Sequence, residues 1–220
     1  TYLFQTMKFP ETNSSITVTD FGHVIDEVKV DNVTFDTNLD KSARAIGVGV
    51  DSVDYRIKKF TVLNSRFYST LAIYLDGDIG EMLIQGNQFH VTDTHWGAYN
   101  AININQSLPA SASVDPAGTY IIQNNQIFVP GTAFPSASAI TNQAYPGSFL
   151  AGKPGGKELT ETGNTLKVGD GAPITDQSLF IKDSIAVANA TLKVHNVTQD
   201  TWYPTIQGAI EAAVDLDLIE

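Results

Sequence analysis

"MLIQGNQF", Met82 to Phe89, returns as "YIIQNNQI", Tyr120 to Ile127. Two apolar residues, a Gln, a small or amide pair, a Gln and an apolar residue recur in order. The same outline fits "VKVDNVTF" (28–35), "FTVLNSRF" (60–67) and "LTETGNTL" (159–166). Each phrase ends on Phe, Ile or Leu and carries Asn or Gly at its fifth place: Asn32, Asn64, Gly86, Asn124 and Gly163. Three carry Asn at the sixth: Asn87, Asn125 and Asn164. These phrases alternate rather than repeat at helical spacing, so they read as short strands with one buried face.

A second phrase follows each of the first four. Its core is Ala-Ile, at Ala45-Ile46, Ala72-Ile73, Ala101-Ile102 and Ala139-Ile140. The last apolar positions of the first phrase fall at 35, 67, 89, 127 and 166, so the steps are 32, 22, 38 and 39 residues. A step of 22 suits one circuit of three short strands, each circuit stacking on the last. The longer steps are the same circuit with insertions. Asn and Gly tolerate the left-handed backbone that a sharp bend between strands needs. A stacked Asn can also satisfy backbone groups that the bend would orphan. The amides are therefore read as scaffold, with Gly86 and Asn87 making the bend and Met82, Ile84 and Phe89 filling the core.

The phrases "VLNSRF", "IQGNQF" and "IQNNQI" and the Ala-Ile phrase resemble those of right-handed parallel β-helix proteins, the pectate-lyase-like superfamily. The resemblance covers roughly residues 25 to 170. It implies an all-β solenoid over 1–180. Residues 181–197, "IKDSIAVANATLKVHNV", alternate and are expected to be strands. In the following "TWYPTIQGAIEAAVDLDLIE", Thr205 is an N-cap candidate, and Ile206, Ala209, Ile210 and Ala213 fall on one helical face. This segment is similar to the short amphipathic helix that covers the first coil of a β-helix, with "DLIE" opening a strand. An N-terminal cap motif near the end of the chain is expected either to begin a second, tandem β-helix or to dock end to end on a neighbouring copy.

Bulk properties narrow the function. The formal charge is −11, from 13 basic and 24 acidic residues, and no basic stripe suits a nucleic acid. There is no Cys, which excludes disulfides and thiolate metal sites. No apolar run approaches the roughly 20 residues of a membrane span. The chain opens on "TYLFQTMKF" without Met or signal peptide, as expected of a mature product or an excised fragment. Together these features favour a structural or adhesive module of a bacterial extracellular or cell-surface protein. Its expected partners are a polysaccharide or another surface protein.

The resemblance also implies an alternative: a polysaccharide lyase, hydrolase or epimerase acting on acidic polysaccharide, often with calcium. Such sites lie on the outer face of a strand stack and combine carboxylates with a basic residue. "IYLDGDIGE" supplies Asp76, Asp78 and Glu81, which read either as a turn or as oxygen ligands for calcium. "HVTDTHWGAY" supplies His90 and His95 as acid–base candidates, with Asp93, Trp96 and Tyr99 as sugar-binding candidates. Asp76 and Asp78 join the two histidines as catalytic candidates. "RIK" at 56–58 matches a polygalacturonase tripeptide, but the accompanying paired-Asp and Gly-His-Gly motifs are missing, so it reads as an exposed basic edge. No cofactor other than calcium is expected.

Overall fold

The computed structural model describes residues 2–6, 23–36, 44–48, 55–94, 99–106, 118–131, 138–144 and 150–220. The first circuit of the chain is β1 (Tyr2–Thr6), β2 (His23–Asp31) and β3 (Thr34–Asp36). The second is β4 (Arg44–Val48), β5 (Tyr55–Leu63) and β6 (Arg66–Ser69). β7 (Leu71–Gln85) spans two positions of the next circuit, and β8 (Gln88–Val91) completes it. Then come β9 (Asn100–Gln106), β10 (Tyr120–Gln123) and β11 (Gln126–Val129). β12 (Ile140–Ala144), β13 (Leu159–Thr162), β14 (Thr165–Val168) and β15 (Ile181–Asp183) follow. The chain ends with α1 (Ser184–Thr191), β16 (Val194–Asn196), β17 (Thr201–Tyr203) and α2 (Ile206–Ala212).

The molecule is predominantly β, with long parallel sheets and two short helices. A 10-stranded sheet contains two stacks that share β7. The first stack is β1, β4, the start of β7, β9, β12 and β15. The second is β2, β5, the end of β7, β10 and β13. A separate 5-stranded sheet, β3, β6, β8, β11 and β14, forms the third stack. The chain visits the stacks in the same order on each circuit. Every pairing among these strands is parallel.

Register turns the repeated phrases into rows. In the first stack Ile46, Ile73, Ile102, Ile140 and Ile181 are partners in sequence. In the third, Phe35, Phe67, Phe89, Ile127 and Leu166 are partners. Phe35, Phe67 and Phe89 stack face to face with centroids 4.9 and 5.0 Å apart. That spacing is the distance between paired strands, so register alone sets the rings at stacking distance. The Ala-Ile pairs and Met82, Ile84 and Phe89 are all buried in one core, as the phrases predict.

The bends behave as the Asn/Gly pattern requires. Asn32, Asn64 and Asn124 have φ of 57°, 49° and 55°, and Gly86 and Gly163 have 68° and 65°. A Cβ at Gly163 would lie 2.3 Å from Asn124 Oδ1, so glycine at that bend has a steric reason as well. The sixth-place amides do something different: they run along the stack. Asn87 Nδ2 donates to Asn125 Oδ1 (3.0 Å), and Asn125 Nδ2 donates to Asn164 Oδ1 (2.9 Å). Asn164 Nδ2 donates to Gln177 Oε1 (2.6 Å). The same Nδ2 groups bond the carbonyls of Val62, Ile84 and Ile122. Each Oδ1 also receives a backbone N–H from the preceding circuit, from Ser65, Asn87 and Asn125. All three Asn side chains are buried and fully engaged.

Three expectations change. Residues 184–191 form α1 rather than strand: Asp183 Oδ1 accepts the N–H groups of Ile185 and Ala186, both at 3.0 Å. This N-cap and three alanines outweigh the β-branched residues that suggested a strand. "DGD" is not a turn, because β7 runs unbroken through it while passing from the first stack to the second. "DLIE" contributes only an isolated bridge, Ile219 to Asn196. The helix at 206–212 does form, with Thr205 Oγ1 accepting Gly208 N–H at 3.1 Å.

α1 follows β15 and packs beside β12, with Ile185 buried. Beyond it, β16 and β17 pair antiparallel and carry α2. This appendage touches the rest through an ion cluster in which Asp200 binds Lys153 Nζ and lies 3.2 Å from His195 Nε2. The His195 ring stacks on Trp202 at 4.4 Å. The two partners' charges and hydrogen bonds hold the Asp200 carboxyl below its ordinary value, Lys153 contributing most.

Candidate functional site

Along β7, β9 and β12, residues alternate between the core and the outer face. Ile73 and Leu75 are core, so Tyr74 and Asp76 lie on the opposite face of the strand, where they are also buried. Across the register, Tyr74 meets Asn103 and then Thr141, while Asp76 meets Asn105 and then Gln143. Gln143 Nε2 donates to Asn105 Oδ1 (2.7 Å), and Asn105 Nδ2 donates to the Tyr74 hydroxyl (3.1 Å). That hydroxyl donates to Asp76 Oδ2 (3.3 Å). The result is a relay of hydrogen bonds across three strands. The Arg44 guanidinium sits 4.1 Å from the Tyr74 ring centre.

Burial, and then the Asp76 charge, push the Tyr74 phenol up to about 12. It therefore stays protonated at neutral pH and acts as a hydrogen-bond donor rather than a base. Beside the relay, Asn103 Oδ1 and Thr141 Oγ1 are buried with no partner among the described residues. Tyr74, Asp76, Asn103 and Asn105 are all buried, so the relay is an internal polar network on this side of the sheet.

The other candidates are distributed elsewhere. Asp78 opens the second-stack half of β7, in register with Arg56. It is buried, and its charge adds to the burial that raises the Tyr120 phenol above its ordinary value. The Tyr120 hydroxyl donates to Ile79 O (2.8 Å), where Lys157 Nζ also donates (2.8 Å). Glu81 is exposed and stands in register with Lys59, which in turn faces Glu27. Opposite charges in one row are a cross-strand pattern of sheet surfaces. Lys58, within β5, bonds Asp26 at 2.6 Å on the surface. Among the described residues, no three His, Asp or Glu side chains gather as metal ligands would.

His90 lies in the third stack, clasped between Tyr68 and Phe128 at 4.5 and 4.6 Å. Both ring faces are covered. Burial first, and the Arg66 charge second, hold its pKa below the ordinary value, so it is neutral at pH 7. Asp93 accepts the N–H of Thr94 (2.8 Å) in the loop after β8, and Tyr99 packs on the core. His95 and Trp96 lie outside the described residues.

Reading along the chain therefore found Asp76 but missed Tyr74, Asn103, Asn105, Thr141 and Gln143. The signal was present. Each of these residues stands one or three places after the Ile of an Ala-Ile phrase, as Asp76 does. No protein-family model, curated protein or solved structure matches this chain.

Proposed function

We propose that the chain is a right-handed parallel β-helix that serves as a structural or adhesive module of an extracellular or cell-surface protein, of bacterial type. One observation carries this reading: the repeat spends its polar side chains inside the molecule, on the Asn87–Asn125–Asn164 row. The candidate catalytic groups, by contrast, are divided among different stacks. Asp76 belongs to the first, Asp78 and Glu81 to the second, and His90 to the third. End-to-end association through residues 205–213 fits the same reading. Ile206 and Ile210 on α2 are 65% and 56% exposed, and only Ala209 of that helix is buried.

The test is incubation with acidic polysaccharides, with and without calcium, following unsaturated and reducing ends. A structural module releases neither. Light scattering should show association that rises with concentration and disappears in Ile206→Ser/Ile210→Ser. Cleavage that Asp76→Asn abolishes would replace this reading with the carbohydrate-active one. The outer face of the first stack favours that second reading. There a carboxylate, a phenol and amides gather on one buried face around the Tyr74–Asp76 relay.

A further inference from the structure

One row of the core changes character at its end. Val30, Val62, Ile84 and Ile122 are register partners along the second stack, and the next member is Glu161. Its Oε2 is buried and has no hydrogen-bond partner among the described residues. In the first stack, Leu75, Ile104 and Asn142 lead in the same way to Asp183.

Asp183 is fully committed. Its Oδ1 accepts Asn142 Nδ2 (2.9 Å) and the N–H groups of Ile185 and Ala186 in α1, and its Oδ2 accepts Leu159 N–H (2.6 Å). It thereby ties β12, β13 and α1 together. Asp183 is the charged group that acts on Glu161. The other ionisable groups at this end are occupied elsewhere. The Lys157 ammonium sits on the Ile79 and Gly80 carbonyls, and Glu158 receives Asn189 Nδ2. The Tyr120 hydroxyl bonds Ile79 O, and Lys182 is exposed.

We propose that Glu161 and Asp183 form a proton-operated latch at the α1 end of the stacks: the end is closed while Glu161 holds a proton and loosens when Glu161 ionises. A neutral carboxyl can sit at an aliphatic row position beside Asp183, whereas an anion adds like charge at an unanswered oxygen. Burial, with Asp183 second, raises the Glu161 carboxyl above its ordinary value. The sign follows from that direction. The folded end binds the proton more tightly than the unfolded chain does. The latch therefore contributes fully below the ordinary Glu value and is lost as pH rises through the raised one.

The experiment is amide hydrogen exchange on the full chain, corrected for intrinsic rates, between about pH 4 and about pH 7. Protection of α1 and β13 should fall several-fold with rising pH in the wild type and stay flat in Glu161→Gln. Flat wild-type protection, or an undiminished fall in Glu161→Gln, would overturn the latch. If Glu161→Gln fails to fold, a carboxyl-carbon NMR titration of the wild type decides. A raised Glu161 midpoint supports the latch, and an ordinary one refutes it.

Discussion

The stacked body and the C-terminal appendage use the same residue types to opposite effect. In the body, Ile46, Ile73, Ile102 and Ile140 are fully shielded, each covered by its counterpart one circuit away. In the appendage, Ile206, Ile210, Val214, Leu216 and Leu218 are all exposed, Leu216 at 91%. Repetition makes the difference. A row of identical side chains buries itself, because each circuit supplies the partner for the next. The appendage has no counterpart to stack on. It is held by the antiparallel β16–β17 pair, by Ala209 and by the Lys153–Asp200–His195 cluster.

The contrast is most severely tested at the middle of the amide row. Asn125→Ala strands the Asn87 backbone N–H and the Ile84 carbonyl and empties a buried site. We expect a loss of about 3–5 kcal/mol in denaturant unfolding, read on the body. A loss below about 1 kcal/mol, the worth of a single ordinary bond, would mean that the row is ornamental. Asp183→Ala should cost about 2–4 kcal/mol, since it removes the α1 cap and the Leu159 acceptor together. Its effect on exchange should appear at α1 and β13 before it appears at β8.

Gly163→Ala places a methyl group against Asn124 at positive φ and should cost about 1–2 kcal/mol. Gly163→Asn keeps the contact with Asn124 but eases the backbone cost, since Asn occupies the same bend at positions 32, 64 and 124, and should cost no more than Gly163→Ala. Tyr74 supplies a pH test of the outer face. Its folded pKa is raised, so its contribution is complete below the ordinary value of 10.0 and fades as pH rises toward about 12. Alkaline ultraviolet titration should show a late-ionising phenol that Tyr74→Phe removes, and Asp76→Asn should bring it earlier. The smallest effect belongs to Asp200→Ala. It should leave the unfolding midpoint of the body unchanged while raising exchange in β16 and β17, because the ion cluster serves only the appendage.

Much of the fold was legible because the repeat writes backbone geometry into residue type. Positive φ at 32, 64, 86, 124 and 163 shows in the text as Asn or Gly, and shielded rows show as Ala-Ile and as a terminal Phe, Ile or Leu. α1 was not legible because "SIAVANAT" occurs once and its β-branched residues imitate a strand. Only the Asp183 cap and the alanines marked it as a helix. The candidate site was half legible for another reason. Asp76 stands out along the chain, whereas Asn105 and Gln143 become its neighbours only across the register. Side chains gathered from three circuits leave no local signature.

The amide row has two ends, and neither is Asn. At one, the Ser65 hydroxyl accepts Val33 N–H and turns its own proton back onto the Leu63 carbonyl. At the other, Gln177 reaches in from outside the repeat to accept the last amide. Every amide-to-amide bond between them points the same way, while each Nδ2 also donates back to a carbonyl of the preceding strand, so the amides form a short wire of aligned links with a dedicated start and stop. Such a wire counts. A deleted or duplicated circuit leaves the dipoles aligned, but it obliges Ser65 and Gln177 to meet a row of a different length. Both terminators are single residues, Ser65 buried at the sixth place of its own phrase and Gln177 outside the repeat, so the length of the row can change during evolution without rewriting the amides in between.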